Sequence, residues 1–136
     1  MIDLSMLSWP AILAATIAAM AIGALWYSPI LFGNAWLAAL GKTEAELQSP
    51  GAAMAGSAFA AAVSALSLAV IAAGVGATSV VSGAAIGALC GFGLVATAML
   101  SDSLFCGWGW KLYFIQAGYR VVYLVVIGAI VGGWPW

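Results

Sequence analysis

The chain has 136 residues, 66% of them hydrophobic and 5% charged, with a formal net charge of −1. Seven charged side chains cannot cover a soluble domain, in which about a quarter of residues are charged, so a bilayer is the expected solvent. With no basic patch there is no nucleic-acid partner to expect. The lack of histidine removes the commonest metal ligand and general base.

The first apolar run covers about residues 10–27. Ser8 is placed to cap it, and Pro10 suits a first turn, where its missing N–H costs nothing. Trp26 and Tyr27 mark its far interface. The preceding "MIDLSMLSW" lacks the basic region of a secretory signal, so the run is read as a retained span. Pro29 ends the helix, and Ser28 before it is biased away from the α region. An interfacial segment at about 30–48 follows. Within it "NAWLAALG" reads as a short helix with an Asn34 cap and a Gly41 stop. Phe32 and Trp36, four apart, are expected to dip into the headgroup layer as an anchor with Trp26 and Tyr27. "TEAE" places Thr43 and Glu46 in capping-box spacing.

Three more spans are expected at about 51–73, 80–100 and 110–134, each near the 20 apolar residues a helical crossing needs. The links between them are short, which predicts antiparallel neighbours. The fold class is therefore all-α: one transmembrane domain over residues 1–136, a four-helix bundle with a short interfacial helix between spans one and two. Lys42 and Lys111 fall at the end opposite the termini, so the positive-inside rule places both termini outside, in the periplasm if the host membrane is a bacterial inner membrane.

Small residues recur four apart, the pattern that lets helix backbones approach in lipid. Ala11, Ala15, Ala19 and Gly23 form one such stripe, and Gly56, Ala60 and Ser64 another. Gly83, Gly87 and Gly91 make a double G-x-x-x-G, the best candidate for a packing seam, including one between subunits. Gly128 and Gly132 add a pair on the last span.

The last span also carries a polar stripe. Tyr113, Gln116, Arg120 and Tyr123 follow helical steps of three and four, and Tyr119 borders them. Arg120 lies about 15 Å from the start of its span, where an arginine costs about 2.5–3.5 kcal/mol on insertion scales. The third span offers Thr97 and Ser101, with Asp102 just beyond its expected end. Three readings are open: an Arg120–Asp102 clasp, snorkelling of Arg120 to an interface, or a site for an anion, headgroup or partner acid. Cys90 and Cys106 are about 24 Å apart on one helix, too far for a disulfide.

Three stretches, "GALWYSPILFGNAWLAALGK", "GFGLVATAML" and "LYFIQAGYRVVYLVVIGAIVGGW", resemble the bacterial domain-of-unknown-function family numbered 1761. The most specific portion is Leu25, Trp26, Tyr27, Ser28, Pro29, Leu31, Phe32, Gly33 and Trp36, with Ala117, Gly118 and Tyr119 in the last span. The resemblance implies a small four-span membrane protein and no known activity. Arg120 is a departure from the family pattern.

No cofactor, metal site or enzymatic constellation is expected: the chain has no P-loop, no G-x-S-x-G and no paired acids within a span. A structural or accessory membrane protein is the first reading. It would contact lipids and either self-associate or join a larger complex. A small dimeric transporter or channel, using the stripe at Arg120 for an anion, is the alternative.

Overall fold

The computed structural model describes residues 3–47 and 49–135, so Gln48, the last residue of the expected interfacial segment, lies outside the described residues. Four helices are long and apolar enough to cross a membrane: Trp9–Trp26, Pro50–Val75, Val80–Cys106 and Trp110–Gly133. The described structure is helical with short turns. Ser8 caps the first span through a hydrogen bond from the Ala11 N–H, with Pro10 in the first turn, as expected.

The fourth span is the centre of the molecule and packs against all three others and the short helix. On one side, the first span presents Ala11, Ala15 and Ala19 and the second presents Ala61, Ala65, Ala69 and Ala72. Ile127 and Val131 of the fourth span fill the space between them and are fully buried. The third span docks on the opposite side and shares little surface with the second, although they are consecutive. Short links set the antiparallel order, but the glycine faces decide which helices touch.

Those glycines form a seam inside the chain. A Cβ on Gly83 would strike the Gly128 carbonyl and lie 2.9 Å from the Gly132 Cα. On Gly87 it would strike the Leu124 carbonyl, and on Gly91 it would come within 3.0 Å of the Val121 Cα. The two backbones are in contact, which gains dispersion energy that lipid cannot supply. The expectation of an intersubunit seam here is corrected: Gly83, Gly87 and Gly91 are already buried against the fourth span.

The third span runs to Cys106, past the expected end at Leu100, and stops where Gly107 takes φ +67°. Its middle, Leu89–Ala96, is π-helical. Each π turn closes i→i+5 and so takes in an extra residue. Above the seam the buried residues are Ala96 and then Ser103. Asp102 would have stayed in phase with Gly91 on an uninterrupted α-helix, about three turns further on. The wider turns rotate it out, and Ser103 takes its place. The Thr97 hydroxyl donates to the Gly93 and Leu94 carbonyls at 2.8 and 3.0 Å, and the Tyr113 hydroxyl donates to the Ala96 carbonyl at 2.9 Å. Backbone acceptors in the widened stretch are thereby satisfied away from water.

The short helix spans Gly33–Leu40. Its N-cap is Phe32, without a side-chain bond, so the expected Asn34 cap is corrected. Gly33 packs where a Cβ would strike the Tyr27 carbonyl, and this tight fold-back moves the cap two residues earlier. The Gly41 stop forms at φ +67°, and the Thr43–Glu46 capping box is present.

Candidate functional site

The turn after the first span positions the site. Trp26 donates its indole N–H to the Ile115 carbonyl at 2.9 Å, and the Gly118 surface accommodates its ring. Tyr27 packs on Tyr119 with ring centroids 5.3 Å apart. The first span therefore ends level with residues 115–119 of the fourth, about 8–14 Å inside that helix's own start at Trp110. The chain then folds back, and Trp36 comes to lie 5.0 Å from Tyr27, ring to ring, with Phe32 4.7 Å from Trp26. Of the residues expected as an anchor, Trp26 and Tyr27 pack on the fourth span and Trp36 packs on Tyr27. Phe32 remains 38% exposed.

Arg120 stands at the edge of this aromatic group. Its guanidinium lies 5.2 Å from the Tyr119 ring centroid and 5.8 Å from that of Tyr123. Tyr123 in turn shares a hydrogen bond of 3.2 Å with Ser64 of the second span. Cation–π contacts are worth about 0.5–2 kcal/mol each, more where water is excluded. The C-terminal end of the first span, the negative end of its dipole, is level with Tyr119 and adds to them. Among the described residues Arg120 makes no ion pair and no hydrogen bond.

The clasp with Asp102 is therefore corrected. Asp102 is exposed, turned away by the π-helical stretch, and Thr97 and Ser101 are exposed with it. The polar stripe divides in two. Tyr119, Arg120 and Tyr123 gather with Tyr27 toward the first and second spans, whereas Tyr113 serves the third. Gln116 is half-buried between the two groups. Three members of the cluster were not assigned to Arg120 on sequence grounds: Tyr27, Trp36 and Ser64. Helical spacing relates residues of one helix, and these come from three other elements. We expect no energetic coupling between Arg120→Leu and Asp102→Asn. A double-mutant cycle on thermal stability should close to within about 0.5 kcal/mol, and Asp102→Asn alone should be silent. A broken buried pair would instead cost about 3–5 kcal/mol.

The family model described as a protein of unknown function, DUF1761, matches residues 10–132. The chain belongs to the DUF1761 family. No curated protein and no solved structure matches it. The match takes in all four spans and the fold-back, so every residue of the Arg120 cluster in this DUF1761 protein lies within the family domain.

Proposed function

We propose that this DUF1761 protein is a structural or accessory protein of a bacterial cytoplasmic membrane, associating through the loop-side half of its second span, residues 51–60, with a second copy of itself. One observation carries the reading. Residues 51–60 include no buried side chain, and the added Cβ positions at Gly51 and Gly56 open onto empty space. The rest of that helix, from Ala61 to Ala72, is buried on one face. Ala52, Gly56 and Ala60 are spaced four apart on the free half, a pattern suited to close crossing of parallel helices. Two copies inserted with one orientation present parallel helices to each other. The positive-inside rule, applied to Lys42 and Lys111 at the loop end, supports termini outside.

Single cysteines test the pairing in native membranes, with Cys90 and Cys106 replaced by serine. Gly56→Cys should give an oxidised dimer, whereas Val81→Cys, 78% exposed on the third span, should not. Equal crosslinking at both positions, or none at Gly56, overturns self-association. A single crosslinked species of another mass would point to a larger complex instead.

A further inference from the structure

The cluster around Arg120 is rich in hydrogen-bond donors and poor in acceptors. The guanidinium offers five N–H groups and cannot lose its charge. The Trp36 indole N–H is buried and has no partner. Of the tyrosines, Tyr113 and Tyr123 have placed their hydroxyls on protein partners. Those of Tyr27 and Tyr119 have none among the described residues. Among the described residues no carboxylate approaches Arg120: Asp102 is turned out and exposed, Glu44 and Glu46 are exposed and sit in their own capping turn, and Asp3 is at the far end of the bundle, bonded to Ser5. A cation in a low-dielectric setting with only ring faces and a helix end to offset it is costly, and so is a buried N–H without an acceptor. One occupant answers both deficits: an oxyanion.

We propose that Arg120, with Tyr119 and Tyr27 beside it and Trp36 packed behind Tyr27, binds a phosphate oxyanion, supplied by the headgroup of an anionic phospholipid. The planar fork of arginine matches phosphate bidentately, which a point cation would not do. The Tyr119 and Tyr123 rings lie 5.2 and 5.8 Å from the guanidinium and accept none of its N–H groups through a hydroxyl hydrogen bond. Arg120 is only half-buried, so the site has an outlet. The first span ends beside the cluster, and the unburied half of the second span lies on that same loop side. A headgroup is thereby offered a place closer to the bundle centre than the fourth span's length alone implies. This site does not depend on dimerisation, since all its residues come from one chain.

The test uses the full-length protein in nanodiscs of phosphatidylcholine with or without phosphatidylglycerol, read by native mass spectrometry and thermal melting. Wild type should retain phosphatidylglycerol selectively and melt higher with it. Arg120→Gln should bind it at least tenfold more weakly, about the loss of one charge-assisted contact. Trp36→Phe keeps the ring and removes the N–H, and should weaken retention severalfold with the fold intact; Lys42→Gln, a cation elsewhere on the same side, should change nothing. Competition by millimolar inorganic phosphate would assign the site to the free anion. No competition, together with selective retention, assigns it to the headgroup. Equal retention by wild type and Arg120→Gln, or an equal loss in Lys42→Gln, overturns the site. The crosslinking pattern at Gly56 is read independently, so failure of one proposal leaves the other standing.

Discussion

Gly87→Leu is expected to strip the third span from the fourth. The first added carbon would collide with the Leu124 carbonyl and come within 2.9 Å of the Val125 Cα, and neither is a flexible side-chain end that can move aside. Overpacking a core costs about 1–3 kcal/mol where side chains can shift, and more where backbone must. We expect a loss of more than about 3 kcal/mol, read as a collapse of thermal stability and rapid proteolysis after the "GVGATS" link. The control is built into the chain. Gly56→Leu makes the same change where nothing lies within 4 Å, and should leave the monomer's melting temperature unaltered while abolishing the dimer crosslinked through Ala52→Cys on the same stripe. If Gly87→Leu melts with wild type, the glycine seam does not hold the third span.

Trp26→Ala is expected to cost about 3–5 kcal/mol, the usual range for emptying a large aromatic site. Trp26 is the joint between the first span, the fold-back and the fourth span: its indole N–H reaches the Ile115 carbonyl, and its ring touches Gly118 and stacks near Phe32 and Tyr119. Trp26→Phe keeps most of the packing and loses one hydrogen bond, so it should cost only about 1 kcal/mol. The two variants separate area from hydrogen bonding in one series of denaturation curves. An alanine variant as stable as wild type would mean that the fold-back is held by the short helix alone. Because Tyr27 and Trp36 follow from the same turn, Trp26→Ala should also release bound anionic lipid, while Trp26→Phe retains it.

How far the candidate site was legible depends on the element. Arg120 stood out because a permanent cation in an apolar run is unusual, and the steps from Tyr119 to Tyr123 place their rings beside it on any helix. Tyr27 and Trp36 carried polar tips, but the packing of Tyr27 on Tyr119 and of Trp36 on Tyr27 required the first span to end against the fourth and the chain to reverse at Gly33. Asp102 illustrates the opposite case. It was offered to Arg120 as the acid just beyond the expected end of the third span, and no residue type between Leu89 and Ala96 marks the π-helix that turns it out. Propensity does not distinguish i→i+4 from i→i+5 closure. The Tyr113 bond to the Ala96 carbonyl and the packing of Gly91 on Val121 make that choice.

The sequence by itself determined the medium and the elements. Seven charges in 136 residues leave no soluble surface, four apolar runs are long enough to cross lipid, and Ser8, Thr43 and Gly41 set helix ends by local hydrogen bonds or backbone angle. These properties act over a few residues, so they can be read along the chain. Tertiary structure alone decided that the fourth span is central, that the triple glycine is closed within the monomer, and that Arg120 faces tyrosine rings rather than Asp102. In lipid, helices choose partners by backbone contact and by leaving no polar group unpaired, and both depend on surfaces that meet only after folding.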